Sequence, residues 1–178
     1  MHPYQHNHSG VMDLGWEGVG TSFKRLAEMI SSNFHPEVVV GIAKGGVIPA
    51  VFLASAFRVD FYPIKLSSRK NEVVVREKPI WYVRPTADAK GQRVLLVDDI
   101  CVAGRTLEMA KKSLLENGAL EVRTATLAVH GNSILPDYFA IKTDDCIIFP
   151  WDKETLISQK WIMNPEYQAA IDEIEKDI

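Results

Sequence analysis

Two cysteines, Cys101 and Cys146, are all the chain has. That is too few for a disulfide framework and sets a reducing, cytoplasmic compartment as the expectation. No apolar run approaches the ~20 residues that a membrane span needs. Positive charge is not in excess either: 20 Lys and Arg stand against 23 Asp and Glu, a net charge of -3. No basic field is therefore available for nucleic acid or an anionic membrane. A Gly-rich Walker element and a three-glycine fingerprint after a strand are both missing, which excludes the P-loop and dinucleotide folds. There is no internal repeat and no low-complexity linker. The first ten residues carry His2, His6 and His8 but no secretory pattern. A metal site there is conceivable, and a frayed tail over 1–15 is the expectation.

What is present suits one globular domain with a full core. The chain has 178 residues, 47% hydrophobic and 24% charged, both ordinary for a soluble protein. Phe23, Leu26, Ala27, Met29 and Ile30 recur at helical spacing, with Thr21 or Ser22 as cap and Trp16 as a packing anchor. A buried strand over 38–42 follows, then a turn at 43–46 and a helix from Val47 to Phe57. The next strand covers 60–66. Residues 73–75 and 80–83 read as a two-stranded excursion, and 87–91 as a surface loop. Asn117-Gly118 caps the helix after the central strand. A strand over 121–129 and short strands at 138–141 and 146–149 come next. The final helix is capped by Asn164 with Pro165 in its first position. Strands alternating with helices predict an α/β fold, a doubly wound, mostly parallel sheet with ligands beyond the strands' carboxyl ends.

The chemistry gathers in Val94-Leu95-Leu96-Val97-Asp98-Asp99-Ile100-Cys101-Val102-Ala103-Gly104-Arg105-Thr106-Leu107. Four consecutive aliphatic residues read as a strand buried on both faces. Two carboxylates end it, a loop through Gly104 follows, and Thr106 stands where a helix begins. Loop and first-turn amides can hold a phosphate. The carboxylates can accept from sugar hydroxyls or ligate magnesium. A solvated acidic turn explains either aspartate singly, but not the pair together with Gly104 and Thr106.

This stretch resembles the signature of the type I phosphoribosyltransferases, which use phosphoribosyl pyrophosphate (PRPP). The likeness extends over 16–152 in element order, with the layout of xanthine-guanine and archaeal purine members. It implies a phosphoribosyltransferase domain over 16–152, with a small C-terminal hood at 136–139 and 147–152 and a helical extension over 153–178. It implies that Asp98 and Asp99 hold the ribose, with Asp99 the ligand for Mg2+. Val102, Ala103, Gly104, Arg105 and Thr106 would hold the 5-phosphate. Ala43, Lys44, Gly45 and Gly46 would hold pyrophosphate, through a strained peptide before Lys44. Ser67, Ser68, Arg69 and Lys70 would begin a loop that closes over PRPP; a solvated turn reads equally well there. His130, Cys146 and Ile147 would face the acceptor. The implied partners are PRPP and a nucleobase, in a cytoplasmic homodimer without nucleic acid or membrane.

Three positions depart from the pattern, all at the base. Val102 stands where the family carries an aspartate that handles the purine N7 proton. His130 stands for a lysine that bonds the 6-oxo group, and Cys146 for a tryptophan that stacks on the base. A strand-end histidine and a buried thiol are also ordinary core residues. The phosphate and ribose positions are kept. A second class is thus open: a PRPP or nucleotide sensor that has lost catalysis. The Gly104-Arg105-Thr106 ending, shared with the pyrimidine-operon attenuation proteins, fits it.

Overall fold

A computed structural model describes residues 8–70, 73–74, 79–131 and 134–176, with backbone only for 69–70 and 73–74. The chain packs as two compact units, residues 23–142 and residues 1–22 with 143–178.

The larger unit is built on a six-stranded sheet. In chain order its strands are β2 (Val38–Ile42), β3 (Asp60–Ser67), β6 (Ile80–Val83), β7 (Arg93–Cys101), β8 (Glu121–Val129) and β9 (Tyr138–Lys142). Their spatial order is β6-β3-β2-β7-β8-β9. β3, β2, β7, β8 and β9 run parallel, and β6 closes one edge antiparallel to β3. β2 is buried along its whole length, as a strand without a polar residue requires in a sheet covered on both faces. Val38, Val40 and Ile42 cluster with Val94 and Leu96 against Leu107, Ala110 and Leu114 of α3 (Arg105–Glu116). The opposite face meets α2 (Val47–Phe57), where Gly41 lies so close that a methyl there would come within 2.8 Å of the Ala50 Cβ. Phe52 of α2 packs against Phe23 of α1 (Gly15–Ser31), ring centroids 4.9 Å apart. α3 ends as expected: Asn117 is its C-cap and Gly118 takes φ +93°, a conformation open to glycine.

Several local expectations are corrected. α1 begins at Gly15, and Thr21 and Ser22 lie inside it. Their hydroxyls donate back to the Glu17 and Gly18 carbonyls, which satisfies them without a cap. Residues 73–74 (β5) pair with Arg69–Lys70 (β4), not with Ile80–Val83, because β6 takes the free edge of β3. Val75 lies outside the described residues. α3 starts one residue before Thr106, at Arg105, with Gly104 as its cap.

The smaller unit pairs Val11–Asp13 (β1) in parallel with Cys146–Ile148 (β10). Residues 9–13 are therefore bonded in place, and Ser9 Oγ donates to Asp145 at 2.7 Å. Phe149 and Trp151 stack at 4.6 Å, with Trp16 6.4 Å from Trp151. A hairpin, β11 (Glu154–Ile157) and β12 (Lys160–Met163), precedes α4 (Pro165–Lys176). The sequence reading had no strands there. The turn uses Ser158 and Gln159, both at positive φ, rather than the glycine or asparagine that signals a hairpin. Asn164 caps α4, its Oδ1 accepting from the Glu166 amide at 3.1 Å. Of the two stretches expected to form a hood, 136–139 leads into the edge strand β9 (Tyr138–Lys142) of the larger unit, and 147–152 starts within β10 of the smaller. Among the described residues no helix is long and apolar enough to cross a membrane.

Candidate active site

The chain leaves β2 toward β3 on one side and leaves β7 toward β8 on the other. The crevice beyond the carboxyl ends of β2 and β7 is the topological switch point, where ligands bind in such sheets. Of the three loops expected beyond the strand ends, 43–46, 67–72 and 99–106, the first opens there after β2, and the third does so through residues 102–104, its start being the end of β7.

The first of them meets the end of β7 through glycine. A methyl at Gly45 would lie 1.7 Å from Asp99 Oδ2, and one at Gly46 would lie 2.7 Å from the Asp98 Cα and the Val97 carbonyl. Only a residue without a side chain lets this loop lie on the carboxylates. The Ala43–Lys44 peptide is cis. The Ala43 amide bonds the Ile64 carbonyl at 2.8 Å, which ties the loop's start to β3. Lys44 is exposed at the turn.

β7 runs past the aspartates to Cys101, so the pair lies within the strand's last residues and not after its end. The Asp99 amide donates to Asp98 Oδ1 at 3.0 Å, and the Ile100 amide to Asp99 Oδ1 at 2.7 Å. Burial, then the neighbouring Asp99 charge, push the Asp98 carboxyl well above the ordinary carboxylate range. Two adjacent carboxylates in a crowded crevice favour a partner that brings hydroxyls or positive charge.

From Cys101 the chain turns through Val102 and Ala103 to Gly104, at φ +74°. Gly104 caps α3 without a side-chain hydrogen bond. The first helical bond is Glu108 N–H to the Gly104 carbonyl, 2.9 Å. The amides of the loop and first turn, beside the half-buried Thr106, are donors without helical partners, of the kind that can hold an anion at a helix N-terminus. Magnesium fits the donor chemistry of Asp98 and Asp99, which are hard oxygen ligands. Among the described residues no group of three or more His, Cys, Asp or Glu converges to hold a metal, so its other ligands would have to be water and phosphate oxygens.

Other expected residues are placed as follows. Ser67 ends β3, Ser68 follows it half-buried, and Arg69–Lys70 form β4. His130 directly follows β8 in the larger unit; it is buried, and its amide donates to the Cys101 carbonyl at 3.0 Å. Cys146 and Ile147 belong to β10 of the smaller unit, both buried, and burial raises the Cys146 thiol. Ile134 was missed. A methyl at Gly104 would lie 3.0 Å from its Cβ, a proximity no sequence spacing signals.

A profile of the phosphoribosyl transferase domain matches residues 16–156. The chain belongs to this family. It has the type I phosphoribosyltransferase fold and is a PRPP-dependent transferase, with the acceptor base left open. The crystal structure of a purine phosphoribosyltransferase from Pyrococcus horikoshii is similar to this chain at 32% identity and a TM-score of 0.72. The similarity covers 84% of this chain and 99% of that one. A xanthine-guanine phosphoribosyltransferase of Nitratidesulfovibrio vulgaris is 22% identical over 145 residues, 81% of this chain and 86% of that protein. The transcriptional regulator GfcR of Methanocella arvoryzae is 27% identical over 131 residues, 64% of this chain and 62% of that protein.

Proposed function

We propose that this phosphoribosyltransferase transfers ribose 5-phosphate from PRPP to a purine base and releases pyrophosphate. The observation that carries the reading is the contact of Gly45 and Gly46 with Asp99 and Asp98 at the switch point. It brings a pyrophosphate loop and a ribose-binding pair together beside an anion cradle. The purine rests on the similarity to the Pyrococcus horikoshii enzyme.

Residues 102–106 take the 5-phosphate through backbone amides and the Thr106 hydroxyl. Asp98 and Asp99 accept from the ribose 2- and 3-hydroxyls. Asp99 is the better placed for magnesium, beside the Gly45 backbone of the pyrophosphate loop. A bound magnesium ion supplies charge neutralisation to the leaving pyrophosphate. Lys44 and the amides of Gly45 and Gly46 add to that stabilisation. As the bond from C1 to pyrophosphate breaks, positive charge develops on the ribose, and the neighbouring carboxylates favour it. Catalysis here is positioning and electrostatics. His130, directly after β8, faces the acceptor. The protein acts as a cytoplasmic homodimer, which sedimentation and cell fractionation test.

Pyrophosphate release from PRPP with magnesium, measured across a panel of purine and pyrimidine bases, tests this directly. Turnover with a purine is expected. The Thr106→Val enzyme should bind ribose 5-phosphate ~3–10-fold more weakly, the worth of one hydrogen bond; unchanged affinity removes Thr106 from the site.

A second reading is favoured by Val102 and by the similarity to GfcR. In it the protein is a regulatory PRPP or nucleotide sensor on the same fold. PRPP binding without pyrophosphate release from any base would establish it.

A further inference from the structure

Cys101 is the last residue of β7 and only 2% exposed. Its carbonyl accepts the His130 amide at 3.0 Å. Its thiol donates to the Ile134 carbonyl at 3.3 Å. One residue thus ties both ends of the segment 130–134. Ile134 is 56% exposed, so burial of its own side chain does not hold it in place. Yet it lies against Gly104, within 3.0 Å of where a methyl on that glycine would sit; its carbonyl oxygen lies 3.3 Å from the same point. Gly104 adopts positive φ and caps α3, so the direction of its peptide sets where the next amides point.

We propose that Cys101 is a positioning residue: through its thiol it holds Ile134 against Gly104 and thereby aligns the amides that bind the 5-phosphate. The same clip carries the backbone of His130, so it couples the phosphate loop to the segment at the acceptor end. This rests on residues 102–106 being the 5-phosphate site. It adds a role for a residue that is neither nucleophile nor ligand. A thiol is a weak donor, and the effect is correspondingly modest. It acts on one ligand only, because the pyrophosphate loop 43–46 is built on β2 and is not part of the clip.

Calorimetric titrations with ribose 5-phosphate and, separately, pyrophosphate, both with magnesium, test it in the full chain. The Cys101→Ala protein should bind ribose 5-phosphate ~3–10-fold more weakly, with pyrophosphate affinity unchanged. Cys101→Ser, which keeps a donor, should restore binding. Unchanged ribose 5-phosphate affinity in Cys101→Ala, or an equal loss for both ligands, overturns the proposal. If Cys101→Ala does not fold, Ile134→Gly on the exposed segment takes its place. The same selective loss supports the clip, and unchanged affinity overturns it. A wild-type protein that binds neither ligand overturns the transferase site itself, which separates the two failures.

Discussion

A methyl group at Gly45 would lie 1.7 Å from a carboxylate oxygen of Asp99, so the loop or the strand must move to admit it. Displacements of ~1 Å at a reacting centre cost on the order of 100-fold. Gly45→Ala should therefore lower kcat/KM for PRPP by about that factor, as steady-state kinetics would show. Asp98 illustrates the opposite tension. Its folded pKa is raised by burial and then by Asp99, so the native state releases its proton at a higher pH than the unfolded chain does. Stability consequently falls as pH rises above the ordinary Asp value toward the folded one. Asp98→Asn should raise the melting temperature of the unliganded protein near pH 7–8, with each kcal/mol relieved worth roughly 2–4 °C. Near pH 3 the difference should vanish, and ribose 5-phosphate binding should be lost. An unaltered melting point at neutral pH would show that the pair is not in tension. The aspartates were legible in the sequence as a carboxylate pair at the end of a buried strand, ahead of the Gly104-Arg105-Thr106 turn. The place of Ile134 was not, since it depends on a chain crossing thirty residues later.

β8, α3 and the lead into β9 meet at Asp137. Its carboxylate accepts from the Thr124 amide at 2.7 Å and the Thr124 hydroxyl at 2.9 Å, and Lys111 and Arg123 each lie 3.5 Å away. Burial opposes ionisation, but the Thr124 bonds and the two cations outweigh it and hold the pKa below the usual value. A depressed carboxyl stabilises the fold above its unfolded pKa and loses that contribution as pH falls through the folded value. Asp137→Ala should cost ~1–3 kcal/mol in denaturant unfolding at pH 7, and less as the medium is acidified below the ordinary Asp range. α3 depends on its apolar stripe: Leu114 is fully buried, and Leu114→Ala should cost ~2–5 kcal/mol. Most elements were readable. β2, α2 and β8 lie where unbroken aliphatic runs, turn residues and length put them. The start of α1 was hidden because Gly15 and Gly18 disguise a helix that threonine and serine seem to cap. The β11–β12 hairpin was hidden because its turn, Ser158-Gln159, carries neither glycine nor asparagine.

The residues singled out in the sequence fall in both units. The loops 43–46 and 98–106 all belong to residues 23–142, whereas Cys146, Ile147 and the stacked Phe149–Trp151 pair belong to the other unit. Trp151→Ala removes that stack and should lower thermal stability by ~1–3 kcal/mol, part of the cost of emptying a fully buried aromatic site. Ribose 5-phosphate and pyrophosphate affinities should stay as in the wild type, as titration would show. The amino-acid sequence alone determined the alternation of strands and helices, the parallel sheet, and the residue types that suit a sugar phosphate. These follow from local periodicity and from chemistry carried by neighbouring residues. Only the tertiary structure decided that Gly45 lies on Asp99, that Cys101 ties His130 to Ile134, and that Val11–Asp13 is a strand beside Cys146–Ile148. Each of these joins residues far apart in the chain, and such pairings are selected by close packing and by the need to satisfy buried backbone groups, which no spacing along the sequence records.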